Sequence, residues 1–208
     1  MADAPLGNDP PRRLRRLAGI DRSGGPPPET RRGQPLRPWT IPNAIGFARI
    51  GLLVVFVVVG FGDDGLDHQT LLATLYALAA WGDQLDGLAA RLTGQYSRLG
   101  ALLDPAIDRV LVISGVAVTW RLDLLPRWAL AVLVAREALM LVLGPLQLRR
   151  GGDIEISMLG RWAVWPTMAA IFFALCGVDG LDDVLLYVGL AMTLVATARY
   201  AQKLSTSA

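Results

Sequence analysis

After its first 38 residues the chain reads as long apolar runs separated by short polar breaks. The runs predict six helices, at about 43–61, 69–91, 100–120, 126–148, 160–178 and 184–201. Each is near the ~20 residues needed to cross ~30 Å of hydrocarbon. Charges inside the second and sixth runs weaken their windowed hydropathy. The expected fold class is an all-α integral membrane protein with six transmembrane helices. Residues 39–203 form the membrane domain, and 204–208 a short C-terminal tail.

The breaks predict an orientation. Two of them, FGDDGLDHQ and GVDGLDD, carry three acids each and no Lys or Arg. The opposite side collects Arg91, Arg98, Arg149, Arg150, Arg161 and Lys203. Arg121 and Arg127 in the remaining acidic-side break are the exception. The positive-inside rule then puts both termini in the cytoplasm and the chain in the cytoplasmic membrane. His68, the sole histidine, falls in an outer loop and is read as solvated.

Composition agrees with the pattern. A 53% share of hydrophobic residues and a positive mean hydropathy exceed what an ordinary soluble domain carries. The single Cys176 excludes an internal disulfide framework and reads as buried or lipid-facing. Residues 1–38 are rich in Pro, Gly and Arg and are expected to be a disordered cytoplasmic tail without a signal peptide. Its arginines can set topology or hold anionic lipid. No aromatic-interleaved module accompanies them, so no nucleic-acid partner is expected.

The candidate chemistry lies where the second run meets the third. Asp83 and Asp86 are spaced i, i+3, and Asp104 and Asp108 i, i+4, so each pair shares a helix face. LTGQYSR between them is long enough to reverse the chain. Four carboxylates brought together repel, and hard divalent cations make such a cluster tolerable. The alternative is that the aspartates cap helices or sit in water at a membrane edge. Acids at one face, without an internal repeat, fit an ion-coupled transporter poorly.

Asp83, Asp86, Gly87, Ala90, Arg91, Gly100, Asp104 and Asp108 together match D-x-x-D-G-x-x-A-R, eight residues, G-x-x-x-D-x-x-x-D at every interval. This resembles the signature of the CDP-alcohol phosphotransferases, membrane enzymes of phospholipid synthesis. The resemblance implies a polar cavity at the cytoplasmic side. It implies two Mg²⁺ or Mn²⁺ ions in a metal site of Asp83, Asp86, Asp104 and Asp108, with Asp108 also serving as the base. Asp83, Gly87, Ala90, Arg91 and Gly100 would meet the CDP-lipid. For the small residues the alternative is tight helix packing, and for Arg91 a snorkelling cation. The family is commonly homodimeric.

Outside that core the resemblance is looser. Pro42, Asn43 and Arg49 follow the family's P-N-x-x-T-x-x-R opening, with Gly46 in place of Thr. Arg49 in an apolar run needs a partner, and the aspartates are a plausible one; Asn43 could equally be an N-cap. Arg136, Arg161 and Arg199 are the acceptor-binding candidates. Arg136 beside Glu137 can also be a structural ion pair, and Arg161 stands where relatives carry Lys. The implied reaction moves a phosphatidyl group from CDP-diacylglycerol to a glycerol-type acceptor, glycerol 3-phosphate or phosphatidylglycerol. The alternative acceptor is inositol phosphate. A non-catalytic homologue is a more distant reading.

Overall fold

Thr40 and Ser97 start two of the helices, each by the same local chemistry. Thr40 Oγ1 accepts from the Asn43 amide at 3.3 Å, and its carbonyl accepts from Ala44 at 3.0 Å. Ser97 Oγ accepts from the Gly100 amide at 2.9 Å, and its carbonyl from Ala101 at 3.3 Å. Both are N-caps that satisfy amides otherwise left without a partner. Asn43 therefore lies inside the first turn and is not the cap.

The structure is a computed structural model that describes residues 35–63, 66–149 and 158–206. Among these residues it is all-helical: α1 (Ile41–Phe61), α2 (Gln69–Thr93), α3 (Arg98–Arg121), α4 (Arg127–Arg149), α5 (Met158–Leu175) and α6 (Leu181–Thr206). The basic tail and residues 207–208 lie outside the described residues. Three helices end on left-handed residues. Gly94 follows α2 with φ +66°. After α5, Val178 donates to the Phe173 carbonyl and Gly177, at φ +68°, to that of Ala174. Asp123 does the same after α3, at φ +59°, and Leu124 donates back to Thr119. The last two are Schellman closures. The closure at Gly177 stops α5 short of the end of its apolar run. It also leaves Cys176 exposed just beyond the helix, which excludes the buried reading.

Among the described residues, two helices are long and apolar enough to cross a membrane by length and composition, Ile41–Phe61 and Leu181–Arg199. The sixth run therefore passes the test it was expected to pass only weakly. The second does not, because Asp83, Asp86 and Arg91 dilute it. Large apolar side chains face outward on both qualifying helices: Phe47, Ile50, Val54 and Val58 on α1, and Val184, Val188, Leu194 and Val195 on α6. An apolar surface of this extent suits lipid and not water.

The chain divides into two compact units. One takes the described residues up to Leu52 together with Leu78–Arg109. The other takes Leu53–Ala77 and the residues from Val110 onward. Within the second, Gly189 of α6 lies where a Cβ would come 2.5 Å from Thr167 Oγ1 of α5. At Gly115 an added Cβ would come 2.8 Å from the Tyr76 ring. Small residues let helices approach to this range, as in membrane packing.

Candidate active site

All eight positions of the aspartate motif fall in the first unit. On α2, Asp83, Asp86, Gly87, Ala90 and Arg91 share one face by helical spacing. On α3, Gly100, Asp104 and Asp108 follow one another at four-residue steps. Pro105 lies between the two aspartates, and its missing N–H leaves the Ala101 carbonyl without its usual helical donor.

Arg49 of α1 joins the two faces. Its side chain is 1% exposed. Nη1 donates to Asp86 Oδ2 at 3.0 Å and lies 3.7 Å from Asp83 Oδ1. Nη2 donates to Asp108 Oδ1 at 3.1 Å, and Nε to the Ala79 carbonyl at 2.9 Å. Asp86 is buried, whereas Asp83 and Asp108 are 40% and 53% exposed. Asp104 is half-buried and feels the charges of Asp86, Asp83, Asp108 and Arg49. Arg49 has found the partners that a cation in an apolar helix requires. Among the described residues no three acidic, His or Cys side chains stand close enough to hold one ion; a guanidinium lies among the carboxylates.

Two glycines flank this arrangement differently. Gly87 faces Arg91, whose Nη1 would be 3.4 Å from an added Cβ, so the arginine lies along the glycine face. Gly100 faces Asn43: a Cβ there would come 2.9 Å from Asn43 Oδ1 and 3.2 Å from Ser97 Oγ. Close packing, the alternative reading of Gly100, is what the structure shows around it. Ala90 is half-buried on the same α2 face.

Three residues of this unit carry parts that their spacing did not reveal. Gly82 lies one residue before the motif. A Cβ there would come 2.5 Å from both Cγ and Cδ of Arg49, so only glycine lets the arginine stem pass. Asn43 is buried; its Nδ2 donates to the Arg37 and Pro38 carbonyls, both at 3.0 Å, and its Oδ1 accepts from Ser97 Oγ at 2.9 Å. Gln95 Oε1 accepts from the Ile41 amide at 3.0 Å, and Leu99 donates to the Leu36 carbonyl at 3.3 Å. The segment before α1 is thus fastened to the α2–α3 turn. Pro38, Trp39, Thr40, Ile41, Ala44, Phe47 and Gln95 line a cleft of about 320 Å³ beside this fastening.

The acceptor candidates lie in the second unit. Arg136 Nη1 pairs with Glu137, and its Nε donates to Thr197 Oγ1 of α6 at 3.3 Å. The ion-pair reading of Arg136 thus has its partner. Arg199 is exposed on α6. The Arg161 side chain lies outside the described residues.

Carboxylates of α2 and α3 surround Arg49, and Arg91 lies along the Gly87 face; oxygens of this kind can take hard cations, and guanidiniums can take phosphate. The chain belongs to the CDP-alcohol phosphatidyltransferase family, whose profile matches residues 39–195. Among curated proteins it is similar to a cardiolipin synthase (CMP-forming) of Streptomyces coelicolor, 40% identical over 156 residues, which cover 71% of each chain. It is also similar to a CDP-diacylglycerol–glycerol-3-phosphate 3-phosphatidyltransferase of Bacillus subtilis, 28% identical over 144 residues, or 64% of this chain and 75% of that one. An enzyme of the same name from Cereibacter sphaeroides is 28% identical over 174 residues, or 80% of this chain and 75% of that protein.

Proposed function

We propose that this protein transfers the phosphatidyl group of CDP-diacylglycerol to the hydroxyl of a glycerol-type acceptor and releases CMP. The observation that carries the reading is the complete eight-position motif with Asp83, Asp86 and Asp108 gathered around Arg49. Phosphatidylglycerol is the first acceptor to test, because the Streptomyces relative is a cardiolipin synthase; glycerol 3-phosphate is the second.

The donor set suits hard divalent ions: every candidate ligand is an anionic oxygen, and Asp83 and Asp108 are open to the outside. Asp83, Asp86 and Asp104 would hold Mg²⁺ or Mn²⁺, in a pair, with Asp108 beside them. Bound there, the ions supply charge neutralisation to a pyrophosphate and its leaving group. Asp108 is the base. Its Oδ1 is held by Arg49, which fixes the carboxylate and leaves Oδ2 to accept the acceptor's hydroxyl proton. The acceptor oxygen then forms a bond to the lipid-bearing phosphorus, and the bond from that phosphorus to CMP breaks, the electron pair leaving with CMP. Arg91, lying along Gly87, binds the nucleotide phosphates. Arg136, Arg161 and Arg199 are carried as acceptor contacts.

Six membrane spans, a cavity at the cytoplasmic side, both termini in the cytoplasm and a homodimer complete the reading. The outward apolar faces of α1 and α6 support the membrane part. The test is CMP release by purified protein from CDP-diacylglycerol with Mg²⁺ and each acceptor in turn. Stimulation by phosphatidylglycerol that EDTA abolishes is the expected result. Stimulation by inositol phosphate alone would overturn the acceptor assignment, and no release with any acceptor would overturn the reaction.

A further inference from the structure

Arg49 is the only charged residue of α1, and its environment is built for it. The stem passes Gly82 where no side chain fits, and three edges of the fork meet Asp83, Asp86, Asp108 and the Ala79 carbonyl. Asp83 and Asp86 are among the proposed ion ligands, and Asp108 lies beside them. A guanidinium and a divalent ion therefore draw on the same oxygens and repel each other at this range. A planar fork suits the task, because it spans several carboxylates at once, which an ammonium cannot do.

We infer that Arg49, seated past Gly82, is a positioning residue that acts as the cluster's built-in cation. It gathers the carboxylates of α2 and α3 when no ion is bound, and divalent ions load in competition with it. The inference rests on the metal reading of the site. It differs from a purely structural role in one respect: removing the arginine strengthens ion binding.

The test uses the full chain in detergent, with Mn²⁺ as probe and free Mn²⁺ read by electron paramagnetic resonance. Arg49→Gln should bind Mn²⁺ at least tenfold more tightly than wild type. In EDTA it should melt below wild type, and Mn²⁺ should raise its melting temperature by more than it raises that of wild type. Arg49→Lys, which keeps the charge and loses the fork, should tighten binding at least threefold. Unchanged or weaker Mn²⁺ binding by Arg49→Gln, with wild type still binding, overturns the inference and leaves the metal reading intact. Wild type that binds no Mn²⁺ overturns the metal reading and this inference with it. If Arg49→Gln yields no folded protein, Arg49→Lys decides by the same criterion.

Discussion

Gly82→Ala is a substitution whose sign runs against helix propensity. Alanine in place of glycine inside a helix ordinarily stabilises by roughly 1 kcal/mol. Here the new methyl would lie 2.5 Å from Cγ and Cδ of Arg49 and 3.0 Å from Nε. Ordinary contact begins at 3.4 Å, so the stem must retreat by roughly 0.9 Å. The stem is not a free end, because four groups hold the guanidinium beyond it. The same displacement takes bonds of 3.0 and 3.1 Å to Asp86 and Asp108 beyond hydrogen-bonding range. Each hydrogen bond to a charged group is worth about 1.5–3 kcal/mol. Set against the propensity gain, the net effect is a destabilisation of about 2–5 kcal/mol. Equilibrium unfolding in mixed detergent micelles, followed by tryptophan fluorescence, measures it. Gly51→Ala is the control: it is also inside a helix, but nothing lies within 4 Å of its added Cβ, so the gain should appear undiminished. A Gly82→Ala protein as stable as Gly51→Ala would refute the argument that the arginine stem is pinned.

Asp108→Asn should lower the rate of CMP release by about 10²–10⁴-fold while CDP-diacylglycerol still binds, measured by turnover and equilibrium binding on the same preparation. Loss of binding with chemistry intact would contradict the base assignment. Asp83→Asn should raise the Mg²⁺ concentration needed for half-maximal rate by about tenfold or more; an unchanged requirement removes Asp83 from the ion's ligands. Asn43→Ala should destabilise by about 1–3 kcal/mol, since two backbone carbonyls and Ser97 lose their partner. Its hydrogen exchange should rise at residues 36–41 and 94–97 together, and a rise at one segment alone would argue against the fastening between them.

The helices were legible because the apolar runs are long and their breaks polar, and the observed bounds follow the expected ones within a few residues. At three of the boundaries that differ, a short-range hydrogen bond decides. Thr40 and Ser97 start α1 and α3 two residues early, and Gly177 ends α5 while Val178 still reads as apolar. The aspartate pairs were legible from spacing, and so was the need of Arg49 for acidic partners, because a cation in an apolar helix has few other solutions. Gly82 and the Asn43–Ser97–Gly100 contact were not. Their roles come from how closely side chains of different helices approach, and i, i+3 or i, i+4 spacing carries no record of that distance. Arg136 shows the opposite limit: the adjacent Glu137 was visible in the sequence, but only the structure adds Thr197 and fills the guanidinium's neighbourhood.

The position of Arg49 along the chain also sets an order of events during synthesis. It leaves the ribosome 37 residues before Asp86 and 59 before Asp108. At about 5–20 residues per second, roughly 3–12 s pass before its last partner exists. In the membrane arrangement proposed above, α1 would enter the bilayer during that interval with an unneutralised charge, a cost of about 2.5–3.5 kcal/mol on insertion scales. Every other side chain along α1 is uncharged, and α1 is the more apolar of the two qualifying helices. In that arrangement its surplus of Val, Leu, Ile and Phe would offset the cost, holding α1 in place until the acids that complete the site have been made.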